Sequence, residues 1–492
     1  MNILHVVSSH IDSGPGAAAL RMMTALRSAG VESTLACIPG KTLEEHARAQ
    51  NFRVIDDLTF VRDAKLWQLP GARRKFHACV KDNKFDLVHL HQSPEMILAQ
   101  LALANEPVAA VRHWHDAQVG LGAEPLRIFL QKPKRFVLGA SNATTLLLRK
   151  KLAKHALQID WQPAAVDCAA FSPDLRTGET TQASYGAIRL ANGLDTAPAS
   201  GVLIGIPGRI AERRGVFTAL EALLQLGTRI PWSAMFFGQG EAAEVLREKI
   251  ATAGKSASIH VFSQVHDWPV RMAACDVVLV LRPGSDGSAR AVIEAFASGC
   301  ACVVGFDGGL QDFATGIPGR WPEEARAMPA TPGGPSGSGI RAGIGGPGGS
   351  GIVAAPRTGL TQMLTRSGGP AGGSGGGGGG GTAGPGSLPG ASGTRLIPKP
   401  DGSGLRPAQD PGTRLISNPA TGAPERSTAS LGALAVDPDK PADIAYALAM
   451  LIDDIRRRAD MREAGRATAL RRYEMTAVGK RLKEIYRKLI GF

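Results

Sequence analysis

Along most of this chain, short apolar runs of strand length alternate with longer stretches whose apolar positions recur at helical spacing. Residues 2–7 form the first such run. A loop from Ser8 to Gly16 leads into a helical stretch over 17–29, and Gly30 ends it. Strands are predicted over 33–38, 85–89, 108–113 and 135–140, with helices over 94–104 and 143–153. A polar stretch reaching about Ser200 interrupts the pattern. The alternation then restarts with strands over 202–206, 233–237 and 260–262 and helices over 215–226 and 241–252. Regular alternation of this kind predicts parallel sheets with helices on both faces. The restart predicts two doubly wound α/β domains in series.

The most informative stretch is 276–306. An apolar strand over 277–281 is followed by the turn Pro283-Gly284-Ser285-Asp286-Gly287-Ser288, a helix over 289–298 stopped by Gly299, and a second strand over 302–306. Asp286 and Glu294 are eight positions apart, which puts Asp286 at the helix entrance and Glu294 about two turns inside. Backbone N–H groups and the positive end of the helix dipole point into the same crevice. Amides suit phosphates and carboxylates suit hydroxyls, so the unit predicts a ligand with a phosphate end and a polyhydroxy end. Taken singly, Asp286 reads as a turn or cap residue and Glu294 as a solvated charge. Glu294, however, heads the apolar face Ala295-Phe296-Ala297-Ser298-Gly299, where an unused charge would be unfavourable.

Composition changes abruptly after Asp312. From about 314 to 430 the chain is rich in Gly, Pro, Ser and Thr, holds more than half of the 61 glycines and includes an unbroken glycine run at 375–381. Such a segment cannot bury enough apolar surface to offset its ordering entropy, so it reads as a disordered insertion. Fold-like sequence resumes with a strand over 434–436 and helices over 442–451 and about 455–489, the last rich in Arg and Lys. The expected organisation is a first domain at 1–170, a connection at 171–200, a second domain at 201–313, the insertion at 314–430, and at 431–492 the rest of the second domain with closing helices. A formal net charge of +13 favours anionic partners. Nucleic acid is not expected, because no basic-aromatic platform or zinc finger is present. The six cysteines lie among apolar neighbours without a CxxC spacing, so buried free thiols in a reducing cytoplasm are expected. The first residues, MNILHVVSS, read as a strand rather than a signal peptide, and no apolar run is long enough to span a bilayer.

The stretch PGSDGSARAVIEAFASGCACVV resembles the E-x7-E signature of the retaining GT-B glycosyltransferases of family 4. Other stretches fall in that family's order. Gly208-Arg209 with Arg214-Gly215 resembles its GRL-x-x-x-KG, Phe237-Gly238-Gln239-Gly240 its GxG after a strand, and Gly308-Gly309-Leu310-Gln311-Asp312 its GG-x-x-E. Asp86 to His91 resembles D-V-V-H-x-H, and Val166-Asp167 with Phe171-Ser172-Pro173 resembles GVD-x-x-x-F-x-P. The resemblance implies a GT-B fold, two Rossmann-like domains with a nucleotide-diphosphate sugar such as a UDP- or GDP-sugar in the cleft between them. Arg209 and Arg214 would clamp the diphosphate, with Gly208 and Gly238 lining the site. Glu294 would hold the ribose, and Asp286 with the amides of Gly287, Ser288 and Ala289 the transferred sugar. Gly14 and Gly16 would approach the phosphates from the first domain, and His115 matches the active-site histidine, with His113 its rival. The resemblance implies no metal and no cofactor beyond the donor, and a glycan or lipid-linked acceptor of the cell envelope.

The chain departs from the pattern in places. Asp286 stands where Glu is usual, Arg214 replaces Lys, Ala164-Ala165 replace Asn-Gly, and Ala301 replaces Pro. Two other readings compete: a GT-B nucleotide-sugar epimerase, and a sugar-nucleotide-binding protein without transfer activity. Gly14-Pro15-Gly16-Ala17-Ala18-Ala19 also fits GxGxxA, but it starts too far after the first strand, and the second strand ends without an acidic residue, so a dinucleotide site is rejected. The basic C-terminal helix either contacts an anionic membrane or packs back on the first domain with a solvated outer face, the latter being favoured.

Overall fold

A sheet buried on both faces selects continuous apolar strands, and those runs become strands here. The computed structural model describes residues 1–9, 14–60, 66–115, 123–177, 186–192, 201–284, 289–314 and 432–491. The first lobe contains β1 (Ile3–Val6), α1 (Pro15–Ser28), β2 (Ser33–Ala36), α2 (Thr42–Ala49), β3 (Arg53–Ile55), α3 (Leu69–Asp82), β4 (Leu87–Leu90), α4 (Ser93–Ala102), β5 (Ala109–Trp114), α5 (Ala123–Leu130), β6 (Arg135–Gly139), α6 (Asn142–Lys151) and β7 (Ile159–Trp161). Its strands form a parallel sheet in the order β3-β2-β1-β4-β5-β6-β7.

The second lobe repeats the plan. It contains β8 (Val202–Pro207), α7 (Val216–Leu224), β9 (Trp232–Phe237), α8 (Ala243–Thr252), β10 (Ile259–Phe262), α9 (Trp268–Ala274), β11 (Val277–Val280), α10 (Arg290–Ala297), β12 (Ala301–Gly305), the single turn α11 (Gln311–Ala314) and β13 (Ala433–Val436). Its sheet is also parallel, in the order β10-β9-β8-β11-β12-β13. Each sheet grows outward from its first strand and then reverses. The switch points therefore fall between β1 and β4 and between β8 and β11, where doubly wound sheets bind ligands. Gly299 ends α10 as expected, with φ +68° and its N–H on the Phe296 carbonyl at 3.0 Å.

The end of the chain differs from the expectation of one long helix over 455–489. After α12 (Pro441–Asp453) come α13 (Ile455–Thr468), a π turn over Ala469–Tyr473 and α14 (Met475–Ile490). The interruption has a cause. The Val166 N–H donates to the Tyr473 carbonyl at 2.8 Å and the Met475 N–H to the Val166 carbonyl at 3.2 Å, so the two crossings between the lobes are tied backbone to backbone. Glu474 then caps α14 through the Thr476 N–H at 2.6 Å. Beyond this point α14 belongs to the first lobe: Val478, Leu482, Ile485 and Tyr486 pack with Ile3, Met22 and Ala25.

The basic residues of this region are largely internal clamps. Arg458 donates to the Leu451 and Ile452 carbonyls (2.5 and 2.9 Å), Arg462 to Gly299 (2.7 Å), Arg466 to Cys168 and Phe171 (3.1 and 2.9 Å), and Arg481 to Trp161 (2.8 Å). This fits the packed-back reading of the basic helix. No helix among the described residues is long and apolar enough to cross a membrane. The polar stretch expected to be a connection also contributes to the second lobe. Residues 186–191 are helical, and the fully buried Arg189 pairs with Asp276 at 3.2 Å and donates to the Gly201 carbonyl at 3.0 Å. All six cysteines are free, and five are buried.

α1 and α14 meet so closely that a Cβ at Gly479 would lie 1.8 Å from the Ala25 carbonyl oxygen. Gly479→Ala is therefore expected to destabilise the protein by about 1–3 kcal/mol. The effect will be read as a lower urea midpoint at unchanged m-value.

Candidate active site

In the second lobe, glycine backbone brings two loops together. Gly208, after β8, has φ +115° and Gly238, after β9, has φ +136°. A Cβ at Gly238 would lie 2.2 Å from the Gly208 carbonyl oxygen, and one at Gly240 2.0 Å from that of Ile210. Side chains would force these loops apart. The ends of β8 and β11 and the turn before α7 enclose a small cleft lined by Gly208, Arg209, Arg214, Gly215, Leu281 and Arg282. Arg209 is well exposed and pairs with Glu241 at 2.9 Å. Arg282 pairs with Asp307 at 3.0 Å and Asp439 at 2.5 Å. The sequence reading picked out Arg209 and Arg214 but not Arg282. Its signal was its place two residues after β11, at the switch point.

Glu294 sits on the buried side of α10, 7% exposed. The Trp268 indole N–H donates to its Oε2 at 3.0 Å, and Arg290 lies 3.5 Å from its Oε1. The Trp268 ring packs on Phe237, 4.9 Å between centroids. Glu294 is thus oriented by a residue on the neighbouring helix α9 that the sequence reading did not single out, and it does not line the arginine cleft. Ala289 is buried at the entrance of α10. Asp286, Gly287 and Ser288 lie outside the described residues.

On the first lobe, Gly14 opens α1 with φ +60°, and Gly16 is buried within the first turn. His115 follows β5 and is buried. With Ala18, Met22, Ala140, Gln162 and Ala164 it lines a small cavity under α1. At the switch point itself, the Ser8 N–H donates to the carboxylate of Glu95, whose burial raises its pKa. His5, His89, His91, His113 and His115 are all buried and stacked on one another. Among the described residues, His5, His89 and His91 bring one ring nitrogen each within 4.8 Å of the others. Of these, His5 Nδ1 and His91 Nε2 face each other at 3.1 Å, the spacing of a hydrogen-bonded pair.

One carboxylate joins the lobes. Asp312, in α11, accepts from the Asn142 and Ala143 N–H groups at the start of α6, at 2.7 and 3.0 Å. The helix end favours the anion. Burial outweighs it and pushes the Asp312 carboxyl from 3.8 up to about 6.

Comparison with known proteins agrees with the two-lobed fold. Residues 13–163 match the model of the glycosyl transferase 4-like domain and residues 197–315 that of glycosyl transferases group 1. HepE of Anabaena, crystallised with UDP, superposes with a TM-score of 0.63 at 13% identity, covering 99% of this chain and 100% of its own. A glycosyltransferase of Rickettsia africae superposes at 0.64 with 14% identity, covering 99% of this chain and 98% of its own. The fold is GT-B. The chain is also 25% identical over 244 residues to a phosphatidyl-myo-inositol mannosyltransferase of Mycobacterium tuberculosis, over 48% of this chain; it spans 58% of that relative's length. In GT-B terms the arginine cleft belongs to the second lobe, His115 to the first, and Asp312 bridges the two.

The Asp312 carboxyl titrates higher in the folded chain than in the unfolded one, so its protonation stabilises the fold. That contribution is fully present below the unfolded value of 3.8 and is lost as pH rises through about 6. Asp312→Asn cannot titrate. Its melting temperature relative to wild type is therefore expected to climb from acidic to neutral pH, measured by calorimetry.

Proposed function

We propose that this chain transfers a sugar from a nucleotide-diphosphate sugar to a hydroxyl acceptor, with retention of configuration and without a metal. One observation carries the reading: Arg209, Arg214 and Arg282 surround a cleft at the β8–β11 switch point, where Gly208 leaves the backbone bare. Guanidinium forks match phosphate oxygens and stay charged at any working pH. A diphosphate seated there would have its growing negative charge neutralised as the sugar departs.

The remaining roles rest on the resemblance of the sequence motifs. Glu294, held by Trp268 and Arg290, keeps lone pairs for the ribose hydroxyls. Asp286, with the amides of Gly287, Ser288 and Ala289, receives the hydroxyls of the transferred sugar. Gly238 keeps the neighbouring loop close, and Gly14 and Gly16 at the start of α1 would approach the phosphates from the first lobe. His115 orients groups at the reacting carbon, and the acceptor attacks from the face the diphosphate leaves. HepE was also crystallised with UDP-glucose, which supports a UDP- or GDP-sugar donor. The mannosyltransferase relative supports a lipid-linked or glycan acceptor of the cell envelope. The buried free thiols suit a cytoplasmic site of action.

A thermal-shift screen of UDP-, GDP- and ADP-sugars tests the donor. A ligand at one hundred times its Kd adds about 2.7 kcal/mol of stability. The matching donor should raise the melting temperature, and Arg214→Ala should abolish the rise. Transfer to acceptor extracts should fall at least about tenfold in Arg209→Ala and in Glu294→Ala, the loss of one charge-assisted hydrogen bond. Undiminished transfer in both variants would overturn the assignment. Interconversion of UDP-sugars without any acceptor would favour the epimerase instead.

A further inference from the structure

The five stacked histidines have an internal order. His5 stands opposite His89 in the β1–β4 register, and alternate positions put His91, His113 and His115 on the same buried face, beneath α1 and α14. Within this group runs one line of hydrogen bonds. Nδ1 of His5 lies 3.1 Å from Nε2 of His91, and Nδ1 of His91 lies 3.2 Å from Nε2 of His115. The line climbs from the middle of the sheet to its carboxyl edge. His89 stands beside it, bonded to the Tyr486 hydroxyl of α14, and His113 stacks on His115 with centroids 4.4 Å apart. Burial keeps four of these imidazoles neutral: His5 is lowered to about 3, and His89, His91 and His113 fall well below the usual value.

A neutral imidazole has one N–H and one bare nitrogen. Two links in series therefore permit two proton orders. In the first, His115 donates through Nε2 to His91, His91 donates through Nε2 to His5, and His5 is left with an N–H on its own Nε2. In the second, each donor is reversed. His5 donates through Nδ1, His91 donates through Nδ1, and His115 accepts at Nε2 and carries its proton on Nδ1. The far end decides between them. Nε2 of His5 is buried with no hydrogen-bond partner among the described residues. A buried N–H without an acceptor is the rarer and costlier defect; an unfilled acceptor is better tolerated. The second order leaves only a bare nitrogen there.

We propose that His5 and His91 are positioning residues that lock His115 in the Nδ1–H tautomer, so that His115 meets the substrate as a hydrogen-bond donor to an oxygen and not as a proton acceptor. A base at Nδ1 would require the opposite order along the whole line and would strand an N–H in the interior at His5. The substrate half of this statement rests on the sugar-transfer reading; the tautomer half stands on geometry alone.

Long-range 1H–15N correlation of the full chain labelled at histidine tests it directly, with the His115 signals assigned by their loss in His115→Asn. The expected spectrum shows a protonated Nδ1 and a bare Nε2 at His115, and a protonated Nε2 overturns the proposal without need of any further variant. Two substitutions test the links. His91→Asn keeps a group at the Nδ1 position, facing His115. His91→Gln keeps one at the Nε2 position, facing His5. Either change breaks the line, and the Asn amide can turn its oxygen or its NH2 to His115, so both should release the tautomer and lower kcat about tenfold, with KM for the nucleotide sugar unchanged. An Nδ1–H signal at His115 that survives in both variants would mean that the line does not set the tautomer, and the lock would be rejected. Nδ1–H at His115 in a protein that transfers no sugar would remove the enzymatic reading and leave the lock standing.

Discussion

The two lobes owe their fixed relation to a double crossing of the chain. Val166 bonds to Tyr473 and Met475 through backbone alone, and α14 then settles on α1 where Gly479 has no side chain. Backbone ties of this kind are indifferent to side-chain chemistry, whereas the helix contact depends on one missing methyl. The arginine cleft and the histidine stack sit on different lobes, and this joint brings them into one molecule. The π turn at Ala469–Tyr473 is the local adjustment that lets a helix become a strand-like tie and then a helix again.

Around the arginine cleft, the ion pairs serve readiness more than stability. Arg209–Glu241 lies largely in solvent, and Arg282 shares its charge between two carboxylates near the surface. Exposed pairs contribute little to folding. They do keep guanidinium groups extended beside Gly208 instead of wandering over the surface, and a diphosphate competes with weak partners rather than strong ones. Glu294 differs. It is buried, and Trp268 fixes it by a directed hydrogen bond that screening does not weaken.

Much of this was legible in the sequence because parallel strands advertise themselves. The runs that became β1, β4, β8, β9, β11 and β12 are apolar at nearly every position, and the helices between them carry clear caps such as Gly30 and Gly299. α3 was missed for a physical reason: it buries only Ala72, Phe76 and Val80, a stripe one residue wide on a helix that also carries six charged or histidine side chains. β3 and β7 are three-residue edge strands, too short to register as apolar runs. The break before α14 was invisible because its cause, Val166, lies far upstream. Of the site, Arg209 and Arg214 were readable from local motif. Trp268 and the histidine line were not, since each depends on which strands and helices become neighbours. The alternate spacing of His89 with His91 and of His113 with His115 placed each pair on one face of its strand, yet only the strand order shows that the faces join.

β12 and β13 pair in register, Cys302 opposite Ala433 and Val304 opposite Ala435, although residues 315–431 intervene. Loop-closure entropy grows only with the logarithm of length, about 0.6 kcal/mol for each doubling. The β12–β13 ladder is therefore nearly blind to the size of that segment. Evolution or an engineer can lengthen, shorten or exchange what hangs from this rim, including for a whole foreign module, at little thermodynamic expense to the lobe that carries it.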